Sequence, residues 1–261
     1  MMGGLRVSLV QQPLAWHDAA RNRERFAALL APLAGGTDLV VLPETFTTGF
    51  SMDVERLAEP AGGPTVEWLR GQAATLDAAI TGSVITAQEG RYFNRLLWVT
   101  PSGEVRHYDK RHLFRMGREH EHFSPGRELW STSWRGLRIC PLVCYDLRFP
   151  VFMRRRPELD YDLLLYVANW PAARAEAWRQ LLPARAIENQ AYVVGVNRVG
   201  ADGLDVAYGG DSVALDFRGR ALVALGTEAA LTTVTLESEP LAAFRERFPA
   251  HLDADRFTLE P

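Results

Sequence analysis

Cysteine is scarce in this chain, and its two cysteines are badly placed for cross-linking. The 261 residues contain only Cys140 and Cys144. If this segment is a strand, both side chains point to the same face about 13 Å apart, which is beyond the reach of a disulfide. Such sparse cysteine usage suits a reducing compartment, so we expect the protein to act in the cytoplasm.

Three further features are missing, and each excludes a class of protein. No apolar stretch approaches the roughly 18 residues of a membrane helix, and the N-terminal residues lack a signal-peptide pattern. The formal net charge is −3, which indicates neither a nucleic-acid partner nor an anionic membrane. No glycine-rich phosphate loop occurs, since Gly200-Ala201-Asp202-Gly203 predicts only a turn.

The chain does show a regular alternation of strands and helices. Helical spacing predicts helices after Asp18, at Pro64, over residues 173–189 with Pro183 as a kink, and near 241–244. Apolar runs predict strands at residues 6–10, 38–42, 79–87, 94–100, 105–108, 137–143, 162–168, 191–197, 212–216 and 231–236, with a turn at Gly219 between the last two.

No linker, repeat or low-complexity segment interrupts these elements. We therefore expect a single α/β domain over residues 1–261, with mixed sheets and helices on the outer faces. The pattern alone does not distinguish one sheet from two.

Three apolar strands are each followed by a reactive side chain, which is where α/β proteins place their sites. Glu44 follows a buried strand and a proline, as suits a general base. Lys110 follows a hairpin strand and would offer a fixed positive charge to an oxyanion. Cys144 lies between a strand and an expected helix start, where a helix N-terminus would lower the thiol pKa.

Each of these residues also has a simpler explanation when it is taken alone. Glu44 would be a helix-start glutamate, Lys110 a hydrated surface lysine and Cys144 a buried structural cysteine. The structural explanation is the one we adopt for Cys140, which lies in the middle of its strand without polar neighbours.

The three segments together are far more specific than any one of them. Leu42-Pro43-Glu44, Tyr108-Asp109-Lys110-Arg111-His112-Leu113 and Cys144-Tyr145-Asp146 resemble, in order and spacing, the three signatures of the nitrilase superfamily. The resemblance spans nearly the whole chain. The run from Cys144 to Pro150 is similar to the omega-amidase branch, whereas nitrilases proper usually have a Cys-Trp-Glu run that is absent here.

This resemblance implies a fold and a set of catalytic residues. The fold would be a four-layer α-β-β-α sandwich of two mixed sheets, commonly assembled as a homodimer. By resemblance, Glu44 is the general base, Lys110 the oxyanion-stabilising lysine and Cys144 the nucleophile. A second family glutamate is matched best by Glu119, with Glu121 as the alternative.

The resemblance also implies a reaction. A small primary amide would be hydrolysed through a cysteine thioester with release of ammonia, and the substrate would be the ω-amide of a short 2-oxo dicarboxylic acid, such as 2-oxoglutaramate or 2-oxosuccinamate. Two alternatives stay open: another linear amidase or N-carbamoyl hydrolase of the superfamily, and a non-catalytic binding protein on the same fold.

Four residues are candidates for binding this substrate. Phe50 and Trp170 would form aromatic walls, and the backbone N–H of Tyr145 would join Lys110 in stabilising the oxyanion. Arg148 is a candidate partner for the far carboxylate, although a structural ion pair with Asp146 or with a glutamate of the site explains it at least as well.

Two remaining features have less specific interpretations. The histidines between residues 107 and 122 include His120 and His122, which would share one face of a strand, but no second ligand pair has zinc spacing, so we expect neither a metal nor a cofactor. An apolar run lies beside an arginine triplet and consists of Phe149, Val151, Phe152 and Met153. Such a run predicts either core or a subunit interface, and we expect the protein to be at least a dimer.

Overall fold

The strands of this protein build two sheets that lie face to face. The computed structural model describes residues 4–259. Within this range the strands, numbered in chain order, are β1 (Leu5–Gln11), β2 (Leu39–Val41), β3 (Glu59–Pro60), β4 (Ala79–Gln88), β5 (Arg91–Val99), β6 (Val105–Asp109), β7 (Thr132–Trp134), β8 (Leu137–Val143), β9 (Leu163–Ala168), β10 (Tyr192–Asn197), β11 (Val199–Ala201), β12 (Ala207–Gly209), β13 (Val213–Leu215), β14 (Ala221–Ala224) and β15 (Ala230–Leu236).

The helices connect these strands and cover the sheets. In the same range they are α1 (Ala19–Leu30), α2 (Val54–Leu57), α3 (Pro64–Leu76), α4 (Glu119–His122), α5 (Pro150–Met153), α6 (Ala175–Asn189) and α7 (Ser238–Arg247). The helix starts predicted after Asp18 and at Pro64 are confirmed, and the Asp18 side chain accepts a hydrogen bond from the Arg21 N–H. No helix of residues 4–259 is long and apolar enough to cross a membrane.

Both sheets contain parallel and antiparallel neighbours. The first has the order β15-β1-β2-β4-β5-β6, with β3 beside β4, and the second has the order β14-β13-β10-β9-β8-β7. Strands β8, β9 and β10 run parallel, as do β1, β2 and β4. The short strands β11 and β12 form a separate hairpin.

Alternation along the strands of the first sheet separates an inner core from an outer one. Leu9 and Val41 lie in the core that the two sheets share. Val40 points the other way and packs with Phe26 of α1 and Leu69 of α3. Because successive strand residues face opposite sides, a continuous apolar run predicts a strand that is covered on both faces.

Helix α6 covers the second sheet, and a glycine permits its close approach. A Cβ atom on Gly195 of β10 would lie only 2.8 Å from Leu182 and 2.9 Å from Trp178. Together with α1 and α3 on the other side, this packing forms four layers. The predicted α-β-β-α sandwich of two mixed sheets is therefore confirmed.

The turn predicted at Gly219 is present, but a strand that was not predicted follows it. The strands predicted at 212–216 and 231–236 belong to different sheets. After the turn, where Gly219 has φ +76°, the chain forms β14, which pairs back on β13. Strand β15 instead crosses to the first sheet and pairs with β1.

Candidate active site

Four strand ends bring the predicted catalytic side chains together. Strand β2 leads to Glu44, and β6 leads directly to Lys110. In the second sheet, parallel β8 and β9 are in register with Val143 opposite Val167. Cys144 and Asn169 therefore leave the same end of that sheet, where the loops from the first sheet meet them.

Glu44 is completely buried and held by donors on both carboxylate oxygens. Its Oε1 accepts hydrogen bonds from Lys110 Nζ at 2.9 Å and Asn94 Nδ2 at 2.8 Å. Its Oε2 accepts one from the Asn169 backbone N–H at 2.7 Å. The carboxylate thus has a fixed orientation, as a general base requires.

Lys110 lies between two carboxylates. Its Nζ is 2.9 Å from Glu44 and 3.0 Å from Glu119, and it lies 5.2 Å from the centre of the Phe50 ring. Burial opposes the charge, but the carboxylates of Glu119 and Glu44 raise the pKa of Lys110 above its ordinary value. Lys110 therefore stays protonated in this buried position.

The structure places Glu119, rather than Glu121, at this lysine. Glu119 is buried, and its carboxylate also accepts hydrogen bonds from the Phe114 N–H at 2.6 Å and from Asn94 at 3.1 Å. Glu121 is exposed and pairs with Arg118. Burial raises the pKa of Glu119, while the neighbouring Lys110 opposes that rise.

Cys144 begins a 3₁₀ turn over Cys144–Arg148 rather than a longer helix, and its φ is +45°. Its Sγ lies 4.0 Å from the Asn169 carbonyl oxygen. Burial, reinforced by the negative charge of Glu44, raises the pKa of the thiol well above its usual value. The pKa of this thiol is therefore raised and not lowered as the sequence predicted, because burial is the largest effect on it.

Cys140 differs from Cys144 in its position. It is fully buried within β8, in the core between the sheets, where burial raises the pKa of its thiol. The strand ends at Val143, one residue before Cys144, so the strand spacing expected between the two cysteines does not extend to Cys144.

A pocket opens above Cys144 and holds about 410 Å³ of space, including solvent at its mouth. All four predicted substrate-binding residues line it. The described residues that line it are Phe50, Lys110, Phe114, Cys144, Tyr145, Arg148, Asn169, Trp170, Pro171, Arg174 and Tyr208.

Arg148 does not form the ion pair that was its alternative explanation. Its guanidinium stacks over the Trp170 ring at 5.0 Å and has no carboxylate partner among residues 4–259. The Asp146 carboxylate is instead occupied by the hydroxyl of Tyr108 at 2.8 Å and by the ring of His112 at 2.7 Å. Arg148 therefore presents a charge to the pocket.

Two asparagines that hold Glu44 were not predicted from the sequence. Asn94 donates to both glutamates, and the Asn169 side chain donates to the Glu44 carbonyl at 2.8 Å and to Thr45 at 2.7 Å. The available signal was a polar residue within or directly after an apolar strand. Such a residue must find a partner once it is buried.

The histidines do not form a metal site in this structure. His120 and His122 lie in the single turn of α4, not in a strand. In the described part of the chain, no group of three or more His, Cys, Asp or Glu residues is arranged to hold a metal ion.

Comparison with known proteins agrees with this geometry. Residues 6–246 match the family model for carbon-nitrogen hydrolases. The chain is 50% identical to the "Omega-amidase YafV" of Yersinia enterocolitica over 99% of this chain and all of that protein. It is 30% identical to the "2-oxoglutaramate amidase" of Bacillus subtilis, over 95% of this chain and 96% of that one.

A solved structure is similarly close. A carbon-nitrogen hydrolase superfamily protein from Xanthomonas campestris, crystallised with an arsenic adduct in its active site, superimposes with a TM-score of 0.97. The two sequences are 54% identical, and the match covers 99% of this chain and 100% of the other.

The chain belongs to the carbon-nitrogen hydrolase family, and it is an amide-cleaving hydrolase. Within the nitrilase superfamily, its similarity to the omega-amidases assigns it to their branch, as the signatures had predicted.

Proposed function

We propose that this protein hydrolyses the ω-amide of a short 2-oxo dicarboxylic acid, such as 2-oxoglutaramate, through a thioester on Cys144. The observation that carries the proposal is the pocket itself. At one end are Cys144 and Lys110, with Glu44 behind them, and Arg148 supplies a positive charge without a carboxylate partner in the described residues.

The first half of the reaction needs a base because the resting cysteine is a thiol. Glu44, whose negative charge acts on the Cys144 thiol, takes the proton from Sγ as the sulfur attacks the amide carbon. Collapse of the tetrahedral intermediate breaks the C–N bond, and protonated Glu44 donates its proton to the departing ammonia. The product is a thioester on Cys144.

Lys110 is positioned to stabilise the tetrahedral oxyanion. An ammonium has three N–H donors, and the carboxylates of Glu44 and Glu119 occupy two of them. The remaining donor and the Tyr145 backbone N–H would bind the oxyanion in a site from which water is largely excluded. Glu119 thus acts by holding Lys110.

The second half of the reaction regenerates the enzyme. Glu44, again a carboxylate after ammonia has taken its proton, activates a water molecule against the thioester carbon. The C–S bond breaks, the proton returns to Cys144 Sγ, and the dicarboxylic acid leaves. Both halves use the same base, which explains why Glu44 is fixed by so many donors.

The charge lining the pocket supports a substrate that carries a distal carboxylate. Among the described lining residues there is no Asp or Glu, whereas Arg148 is available to a carboxylate. A guanidinium binds a carboxylate through paired donors. An amino acid amide such as glutamine would bring an ammonium group close to that arginine, so a 2-oxo acid fits better.

Comparative kinetics tests this proposal. We expect kcat/KM for 2-oxoglutaramate to exceed the values for glutamine, pentanamide and pentanenitrile by about tenfold or more, the scale of one charge-assisted hydrogen bond. Arg148→Met should reduce the ratio of kcat/KM for 2-oxoglutaramate to kcat/KM for pentanamide. Equal or faster turnover of the nitrile or the uncharged amide would reject the carboxylate site.

Assembly and location complete the proposal. We infer a homodimer from the apolar residues that the structure leaves exposed: Val151 of α5 is 54% exposed and Ile187 of α6 is 56% exposed. Phe152 and Met153, from the same apolar run, are core residues instead.

The two free cysteines suit the cytoplasm, which is where we propose that the protein acts. We also propose that residues 1–261 form one domain.

A further inference from the structure

We propose that Arg174 is a second substrate-binding residue, which acts with Arg148 to hold the carboxylate and 2-oxo end of the substrate. This inference rests on the function proposed above. No motif of the sequence analysis included Arg174, and the structure places its side chain in the lining of the Cys144 pocket.

The backbone of Arg174 is anchored to the pocket wall. It ends a 3₁₀ turn over Ala172–Arg174, directly after the segment that follows β9. Its N–H donates to the Pro171 carbonyl at 2.9 Å, and its own carbonyl accepts a hydrogen bond from the Trp170 indole at 2.8 Å. Trp170 is the ring on which Arg148 stacks, so one segment positions both arginines.

The Arg174 side chain is held by an aromatic ring and a thioether. Its guanidinium lies 5.3 Å from the centre of the Phe114 ring, and Nη2 is 2.7 Å from the sulfur of Met116. It has no carboxylate partner in residues 4–259. A thioether is a weak acceptor, so an incoming carboxylate would be a much stronger partner for the same donor.

Two stacked guanidinium groups suit a 2-oxo acid. Stacking on an aromatic ring holds the plane of a guanidinium and leaves its N–H donors directed sideways, so little side-chain freedom is lost on binding. A 2-oxo acid offers a carboxylate and an adjacent carbonyl oxygen, which is enough acceptors for both arginines. An ammonium at the same carbon, as in glutamine, would be repelled by both.

The test separates binding from catalysis. In the Cys144→Ala background, calorimetry would measure the Kd of 2-oxoglutarate, the reaction product, for the parent and for added Arg174→Gln, Arg174→Lys or Arg115→Gln. Arg115 is the matched control, because it is an exposed arginine that directly follows Phe114, the residue whose ring Arg174 contacts. The corresponding single variants of the active enzyme would give kcat and KM for 2-oxoglutaramate.

We expect Arg174→Gln to raise both the Kd and the KM about tenfold or more, the effect of losing one charge-assisted hydrogen bond. Its kcat should change less than the KM, Arg174→Lys should restore part of the affinity, and Arg115→Gln should behave like the parent. Unchanged binding in Arg174→Gln, or a loss confined to kcat, would overturn the inference.

Failure of the proposed function would look different. In that case the wild-type enzyme itself would not prefer 2-oxoglutaramate to pentanamide, whatever residue occupied position 174. If the wild-type preference is present and Arg174→Gln retains it in full, only the role of Arg174 is rejected.

Discussion

At the scale of single residues, the site keeps its nucleophile neutral until a substrate arrives. Burial favours the thiol of Cys144, and the negative charge of Glu44 favours it further. A stored thiolate beside a buried carboxylate would be costly. In the proposed mechanism the proton therefore moves to Glu44 during attack, and the contacts of Glu44 hold its carboxylate in one orientation for that transfer.

The raised pKa of Cys144 predicts slow reaction with a small neutral thiol reagent. A raised pKa lowers the thiolate fraction at any given pH, so methyl methanethiosulfonate should modify Cys144 more slowly at pH 7 than it modifies a free cysteine. The rate should keep rising beyond pH 9, as peptide mass analysis at several pH values would show. A rapid reaction that is already constant at pH 6 would instead indicate a stored thiolate.

Asn94 should contribute to catalysis through the two glutamates. Its Nδ2 donates to Glu44 at 2.8 Å and to Glu119 at 3.1 Å, so Asn94→Ala leaves two buried carboxylates with one donor fewer. We expect kcat to fall about tenfold to a hundredfold, in line with about 1–3 kcal/mol for an unsatisfied buried group.

The matched control for this variant is Asn22→Ala. The Asn22 side chain is also buried, but it donates to the carbonyls of Ala15 and Thr47. The Asn22→Ala variant should therefore have a lower Tm without a comparable loss of kcat. An Asn94→Ala enzyme with normal kcat and an unchanged pH profile would show that the two glutamates do not depend on this amide.

At the scale of secondary structure, one carboxylate connects the Lys110 segment to the Cys144 turn. Asp146 accepts hydrogen bonds from the Val143 N–H at 3.0 Å and the His112 N–H at 3.1 Å, besides the side chains of Tyr108 and His112. The end of β8 and the end of β6 are thereby fixed relative to each other. The third residue of the Cys-Tyr-Asp signature thus has a structural explanation.

Tyr108→Phe tests this connection. The variant removes the hydroxyl that donates to Asp146, so we expect both the kcat and the free energy of unfolding to fall, the latter by about 1–3 kcal/mol. Tyr161→Phe is the control, since that buried hydroxyl donates to the Met153 carbonyl, outside the proposed catalytic contacts. If both variants lose stability but neither loses activity, Asp146 does not position the catalytic groups.

The longer strands were predictable from sequence because their apolar runs have a clear length and alternation, whereas the short strands β3, β7, β11 and β12 were not predicted. Pairing was not: the residues at 212–216 and 231–236 follow in sequence, but periodicity does not encode which sheet a strand joins. Strand β14 was missed because Ala221–Ala224 is short and largely exposed. Within the site, the residues carried by a signature were found, whereas Asn94 and Arg174 depend on contacts between distant segments.

At the scale of the whole molecule, the exposed apolar residues on α5 and α6 predict association. The two helices are connected by Arg154, the residue directly after α5, whose side chain donates a hydrogen bond to the Glu188 carbonyl of α6 at 2.7 Å. Light scattering at micromolar concentration should give a dimer mass, and Val151→Glu or Ile187→Glu should shift it toward the monomer. Leu204→Glu is the control, because Leu204 is 72% exposed but lies in the loop between β11 and β12. A monomer mass for the wild type would reject the dimer.

The proposed mechanism of the whole enzyme depends on a covalent bond between Cys144 and the acyl part of the substrate. Intact-protein mass spectrometry after acid quenching of enzyme mixed with 2-oxoglutaramate measures it directly. We predict an adduct equal to the mass of the amide less ammonia, located on the peptide that contains Cys144. The adduct and the turnover should persist in Cys140→Ala and disappear in a folded Cys144→Ala. Near-normal hydrolysis by Cys144→Ala, or an adduct on another residue, would contradict the mechanism.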